Sequence, residues 1–115
     1  MKVMVRSIFR FLPGKMAEGI KLEEKHMAIA KRVLGISARC YRPVSGRGDT
    51  TRTIICEAEF DSFTAFEAHP MKMGADPEMQ KLMPKYDAVI DSLEFEFYTP
   101  IPPMYHSVGE VAPPK

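Results

Sequence analysis

The spacing of apolar residues along this chain switches between every second residue and every third or fourth. The segment from Lys2 to Phe11 alternates apolar and polar positions, which is the pattern of a β-strand. From Lys15 to Leu34 the apolar residues follow the helical repeat, and Gly35 is suited to end that helix. The first third of the chain therefore predicts a strand followed by an amphipathic helix.

Two further strands, at about 36–43 and 50–60, flank a glycine-rich loop and predict a β-hairpin. A turn centred near Gly48 gives a register with apolar pairs on one face and an opposite-charge pair on the other, as a half-buried sheet requires. The expected partners are Ile36 with Phe60, Ala38 with Ala58, Cys40 with Cys56, Arg39 with Glu57, and Tyr41 with Ile55.

The next region carries two helix-start signals. Ser62 is suited to cap one helix, and Asp76 followed by Pro77 is suited to start another. Pro84 lies inside the second helical pattern, so we expect a kink or a break there. Alternation returns over 93–99, which predicts the last strand.

The order of elements is therefore β-α-β-β-α-β. Right-handed crossovers convert this order into a ferredoxin-like α+β sandwich, with a four-stranded antiparallel sheet and the helices on one face. A chain of 115 residues is the right size for one such domain. We expect it to span residues 1–99, with residues 100–115 as a Pro-rich C-terminal extension.

The sheet face away from the helices, here called the outer face, is predicted to mix apolar and charged side chains. Ile8, Tyr41 and Ile55 stand there among arginines and glutamates. A fully solvated face needs fewer apolar residues, and a fully buried one does not tolerate unpaired charges. A homodimer in which two outer faces meet explains both features, and an open, wet face in a monomer is the alternative.

Charge and composition exclude several classes of protein. A net charge of +1 gives no support for nucleic-acid binding. No apolar run approaches the roughly 20 residues that cross a bilayer. Arg6 and Arg10 interrupt the N-terminal apolar segment, so we expect no signal peptide and a cytoplasmic location. There, Cys40 and Cys56 are expected to be reduced, buried side chains, with a redox pair as the alternative.

Glu23 and His26 carry the most specific chemical signal in the sequence. They lie three residues apart on the apolar stripe of the first helix, so they are neighbours facing the core. A buried carboxylate can orient an imidazole as a general base. Alternatively, the two side chains satisfy each other at the edge of the stripe. A two-histidine, one-carboxylate metal site that adds His69 is a further alternative, but we assign no metal.

Methionine is unusually common, with nine in the chain, and it concentrates on the predicted helices. Flexible thioethers line adaptable apolar cavities, although ordinary core filling explains any single methionine. Tyr86 shares the same helix face and is either a hydroxyl donor to a ligand or a core tyrosine that reaches solvent. The candidate residues for binding a small hydrophobic molecule are Phe9, Met27, Met79, Met83, Tyr86 and Phe95.

Three short motifs carry a family resemblance. They are the strand end FLPGK at 11–15, the acidic strand and following helix EAEFDSFTAFEAH at 57–69, and DPEMQ at 76–80. With these motifs, residues 2–99 resemble the dimeric α+β barrel superfamily, in particular its antibiotic-biosynthesis-monooxygenase and NIPSNAP-like domains. The resemblance implies a homodimer with a small-molecule pocket between the sheet and the helices of each subunit, and it places His69 near the pocket mouth.

The resemblance leaves the activity open. It implies either a cofactor-independent monooxygenase, or a proton-transfer, cyclase or isomerase-like enzyme, with His26 as base, Glu23 orienting it and His69 assisting; no cofactor is then expected. The haem-degrading members typically use a pocket tryptophan, and this chain has none. The alternative is a non-catalytic NIPSNAP-like domain that binds a ligand or dimerises.

Overall fold

The structure is a computed structural model that describes residues 1–104. Its four strands form one antiparallel sheet in the order β2-β3-β1-β4, and three helices complete the fold. The predicted ferredoxin-like α+β architecture is confirmed. Most of the proposed C-terminal extension, including Tyr105 and His106, lies outside the described residues. The elements are β1 (Val3–Phe11), α1 (Met16–Leu34), β2 (Ala38–Tyr41), β3 (Thr53–Phe60), α2 (Phe63–Gly74), α3 (Pro77–Asp87) and β4 (Ile90–Tyr98).

The predicted register of the hairpin is confirmed within the paired strands. Ala38, Arg39, Cys40 and Tyr41 face Ala58, Glu57, Cys56 and Ile55 in turn. The strand β2 is shorter than expected, so Ile36 precedes it. The residues before β3 form a short 3-10 turn, Thr50–Arg52, instead of extending the strand.

The helix boundaries follow the capping chemistry expected of the sequence. Gly35 ends α1 in the left-handed conformation, with φ of 69°. The Ser62 hydroxyl accepts from the backbone N–H of Ala65 at 3.1 Å. The Asp76 carboxylate accepts from the N–H groups of Glu78 and Met79, each at 3.1 Å. These caps separate α2 from α3 at the predicted position.

The sequence suggested a kink or a break at Pro84; a break is wrong, because α3 continues through it to Asp87. Proline removes one backbone donor and crowds the preceding turn. Leu82 and Tyr86 lie on either side of it and both pack in the core, which holds the helix together across this position. Proline is also tolerated within α2, at Pro70.

The cysteines are not the two free thiols expected from the sequence. A disulfide joins Cys40 to Cys56, whose Cα atoms are 4.1 Å apart. The register explains this, because directly opposite residues of antiparallel strands bring their side chains together on one face. The expected burial holds for Cys56, which is 6% exposed, but not for Cys40, which lies on the edge strand and is exposed.

The charges on the outer face neutralise one another across the strands. Arg6 bonds to Glu57 at 3.0 Å and lies 3.6 Å from Glu96, and Arg10 pairs with Glu94. Glu57 therefore forms its ion pair with Arg6 of β1, whereas the sequence suggested Arg39 of β2. Because these charges are paired within one chain, covering this face would cost less desolvation energy than covering isolated charges.

The helices cover β1 and β3 better than the edge strand β4. The core on the helix side contains Phe9, Phe11 and Ile54 with residues of all three helices. Gly19 permits close packing there, because an added Cβ would lie 2.5 Å from the fully buried ring of Phe11. The helix-side residues of β4, in contrast, remain exposed by 41% to 48%: Leu93, Phe95 and Phe97.

Candidate functional site

A cavity of about 430 Å³ lies between the sheet and the helices. This volume falls within the range of small-molecule sites. Its walls come from all four strands on one side and from α1, α2 and α3 on the other. The structure brings every candidate residue of the sequence to this cavity: Phe9, Glu23, His26, Met27, His69, Met79, Met83, Tyr86 and Phe95.

The carboxylate of Glu23 is the centre of the polar groups in this cavity. Glu23 is 5% exposed and projects from α1. One oxygen accepts a hydrogen bond from the Tyr86 hydroxyl of α3 at 2.7 Å. The Nδ1 atom of His26, one turn along α1, lies 3.2 Å and 3.3 Å from the two carboxylate oxygens. A buried carboxylate needs such partners, so Glu23 links α1 to α3.

The tautomer of His26 is assigned from these contacts. An ionised carboxylate can only accept hydrogen bonds, so the proton on the neutral ring must be on Nδ1. Nε2 then keeps its lone pair and is the atom that can accept a proton. This is the arrangement in which a carboxylate orients an imidazole and stabilises its protonated form.

Tyr86 holds its hydroxyl proton firmly. Burial, followed by the negative charge of Glu23 and the hydrogen bond to it, raises the pKa of Tyr86. The hydroxyl is therefore a permanent donor to Glu23. The sequence predicted Tyr86 at the cavity, with its hydroxyl directed to a ligand or to solvent. Its partner Glu23 was not predicted, because residue spacing does not reveal a partner on a different helix.

His69 of α2 lies beside His26 in the lining of the cavity. The two ring centroids are 6.3 Å apart, and the ring of His69 stacks on Phe60 at 5.6 Å. Burial lowers the pKa of His69, and His26 lowers it further whenever its own ring is protonated. His69 is therefore neutral at neutral pH, where it can both donate and accept a hydrogen bond.

The rest of the lining is apolar and partly open. Met79 is buried, whereas Met83 is 53% exposed. Together with the exposed Leu93 and Phe95, Met83 marks the place where the cavity meets solvent beside β4. We call these three residues the cavity mouth.

Several lining residues were not among the sequence candidates. They include Ser7, Phe66 and Met73. Ser7 did carry a signal, because it is a polar residue on the otherwise apolar helix side of β1. Phe66 could not be distinguished from an ordinary core residue by its helical spacing.

The structure does not form the metal site considered from the sequence. Within residues 1–104, no three His, Cys, Asp or Glu side chains gather closely enough to hold a metal ion. The three candidate residues Glu23, His26 and His69 are linked by one carboxylate–imidazole contact and one ring contact.

None of the helices within residues 1–104 is long and apolar enough to span a bilayer.

The fold matches solved structures along most of its length. A NIPSNAP family protein from Agrobacterium tumefaciens superimposes with a TM-score of 0.76, at 22% identity, covering 88% of this chain and 87% of that one. A NIPSNAP domain protein from Burkholderia xenovorans gives a TM-score of 0.74 at 21% identity, covering 92% of this chain and 100% of its own. The chain has the fold of NIPSNAP family proteins.

A second NIPSNAP family protein from Agrobacterium tumefaciens, described as having unknown function, gives a TM-score of 0.68 at 22% identity over 86% of this chain and 87% of that one. No family model matches the chain, and no curated protein matches it either. The NIPSNAP-like fold expected from the sequence is thus confirmed.

The Tyr86 hydrogen bond can be tested by removing one oxygen atom. In Tyr86→Phe, the buried Glu23 loses a donor, and we expect the free energy of unfolding to fall by about 1–3 kcal/mol. Urea denaturation followed by circular dichroism measures this change. Lys15→Met is the control, because it removes an exposed contact away from the outer face, the 3.3 Å ion pair with Glu18; there we expect a change within about 0.5 kcal/mol. Equal losses in the two variants would contradict the role of Glu23 as a buried link.

Proposed function

We propose that this protein is a homodimeric α+β barrel domain that binds a small apolar or aromatic molecule in its cavity and removes a proton from it. The observation that carries this proposal is the buried Glu23 carboxylate, which holds His26 by Nδ1 in the wall of an otherwise apolar cavity. A structural core has no need of an ion and two histidines at this place, because apolar residues fill such positions at lower cost.

The geometry supports His26 as the base. With Nδ1 bonded to Glu23, Nε2 is the basic atom, and the negative charge of Glu23 stabilises the imidazolium that forms when Nε2 takes a proton. A positioned general base of this kind typically contributes about 10²–10⁴ to a rate. Tyr86 keeps the carboxylate in place from the opposite helix.

The lining favours a ligand with an aromatic body and an acidic hydroxyl group. Phe9, Met79 and Phe95 offer polarizable apolar contacts. A phenol or enol would bring its proton to His26, while the neutral His69 can hydrogen-bond to a second oxygen of the same molecule. The predicted small-molecule partner is thus a hydroxylated aromatic compound of two or three fused rings.

Deprotonation also provides a route to oxygen chemistry without a cofactor. A phenolate gives up electrons to dioxygen more readily than the parent phenol does. The ring carbon opposite the hydroxyl takes one oxygen atom as a carbonyl, so that the phenol becomes a quinone. The other oxygen atom leaves as water with the one hydrogen of that carbon and the hydroxyl proton that His26 had taken. The resemblance to antibiotic-biosynthesis monooxygenases supports this reaction, whereas the residues support the proton transfer alone.

The second candidate is a non-catalytic NIPSNAP-like domain that binds a ligand or dimerises. The half-open mouth at Met83 and Phe95 favours it, because a reaction that must exclude water is better served by a closed cavity. Both candidates use the same cavity and the same dimer. They differ in whether a bound molecule is turned over, and both retain the predicted cytoplasmic location.

The outer face supports the homodimer. Its charges already pair within one chain, through Arg6 with Glu57 and Arg10 with Glu94. Tyr41 and Tyr98, on the two edge strands of this face, remain exposed by 46% and 39%. A second copy of the same face would bury these rings at little desolvation cost, which is the composition typical of interfaces.

The base is tested with a hydroxylated anthrone as substrate, 1-naphthol as a fluorescent binding probe, and oxygen uptake as the readout. In His26→Ala we expect naphthol affinity within about threefold of wild type and oxygen uptake slower by about 10²–10⁴. Lys25→Ala, an exposed neighbour on α1, is the matched control and should change neither quantity. Binding without turnover in the wild type would favour the second candidate, and absence of both would contradict the ligand site itself.

The dimer is tested by sedimentation equilibrium. The wild type should sediment at twice the chain mass of 13.0 kDa. Ile55→Lys places a charge in the middle of the outer face and should shift the mass towards 13.0 kDa. The control is Met71→Lys on α2, which is 81% exposed on the helical layer and should leave the dimer intact. A wild type that remains at the single-chain mass at high concentration would contradict the homodimer.

A further inference from the structure

The disulfide between Cys40 and Cys56 joins two different environments. Cys40 lies on the edge strand β2 and is exposed, whereas Cys56 on β3 is 6% exposed and lines the large cavity. The bond therefore joins an exposed residue to a buried one. Attack by an external thiolate is directed at the sulfur of the exposed residue, since exchange depends on access as well as on thiol chemistry.

A second, smaller groove gives access to Cys40. It lies between α1 and β2, has a volume of about 220 Å³, and is open towards solvent. The guanidinium-bearing Arg42 lines it beside Cys40, and Glu23 and Glu24 of α1 line its other wall. A positive charge next to a cysteine favours the thiolate form and attracts anionic thiols. The groove has the size to admit a small thiol, and Arg42 is the cation in its lining that can attract a carboxylate of that thiol.

The position of Met27 adds to this assignment. Its sulfur lies 3.3 Å from Sγ of Cys40, and the residue lines both the groove and the large cavity. Cys40 therefore lies next to a flexible side chain in the wall of the groove. The thioether is flexible, so the wall can adjust when a group is added to Cys40.

We propose that Cys40–Cys56 is a thiol–disulfide exchange site for a low-molecular-weight thiol, with Cys40 as the sulfur that is attacked and Cys56 as the leaving thiolate. This proposal does not depend on the proposed function, because it requires no ligand in the large cavity.

The exchange balances in two steps. The thiolate RS⁻ attacks Sγ of Cys40; the S–S bond to Cys56 breaks, and Cys56 leaves as a thiolate that takes a proton from water. A second RS⁻ then attacks the mixed disulfide on its non-protein sulfur, which forms RSSR and releases Cys40 as a thiolate. The protein disulfide gains two electrons and two RSH molecules lose them. Reversal with RSSR restores the protein disulfide.

Strand pairing suggests that the fold survives this reaction. The strands β2 and β3 are held by a regular antiparallel ladder on either side of the bond, at Arg39 with Glu57 and at Tyr41 with Ile55. Cys40 is on an edge strand and lines the open groove, so a group added to it can occupy that groove. Reduced protein should therefore keep its secondary structure.

The test uses glutathione as the thiol and oxidised glutathione as its disulfide. Each single-cysteine variant is incubated with oxidised glutathione, quenched with acid and weighed by mass spectrometry. Cys56→Ser, which retains the accessible Cys40, should form the mixed disulfide at least about tenfold faster than Cys40→Ser, which retains the enclosed Cys56. The double variant Cys40→Ser/Cys56→Ser controls for addition elsewhere and should gain no mass.

The wild type provides a second measurement if a variant fails to fold. The oxidised protein is treated with reduced glutathione, alkylated, and digested to locate the cysteine that carries glutathione; we expect Cys40, with unchanged far-ultraviolet circular dichroism. The proposal would be overturned by glutathione on Cys56, by equal rates in the two single variants, by a disulfide that is reduced only in denaturant, or by a wild type that forms no disulfide with oxidised glutathione.

Discussion

The carboxylate of Glu23 is the constraint on which the arrangement of this domain depends. Removing an ion from water is costly, and the cost is offset only when its oxygens are hydrogen-bonded. Here the donors come from two directions, His26 on the same helix and Tyr86 on α3. The distance between α1 and α3 is therefore set by a hydrogen bond of 2.7 Å and not by apolar packing alone, which accepts more variation.

This polar link lies in the wall of the cavity. Glu23, His26 and Tyr86 all line it, at the place where α1 and α3 meet. The helix side of β4, at Phe95 and Phe97, stays exposed. The same interaction that holds the helices together thus also presents the imidazole of His26 to whatever occupies the cavity.

Local spacing and strand register were predictable because they depend on short-range geometry. Glu23 and His26 are three residues apart, so a helix brings them together wherever it packs. Cys40 opposite Cys56 followed from counting along a hairpin. The contact between Tyr86 and Glu23 was not predictable, since the residues are 63 positions apart and meet only through helix packing. The register placed the two cysteines opposite each other, but the expected cytoplasmic location favoured free thiols over a disulfide.

The central claim is that Glu23 fixes His26 with its proton on Nδ1 and its lone pair on Nε2. Long-range ¹H–¹⁵N correlation spectra of the imidazole rings measure this directly, at a pH high enough for the histidine rings to be neutral. We predict the Nδ1–H tautomer for His26 in the wild type and a mixture of tautomers in Glu23→Gln. A wild-type His26 in the Nε2–H tautomer would contradict the account, because its base would then face the carboxylate and have no lone pair to offer a ligand.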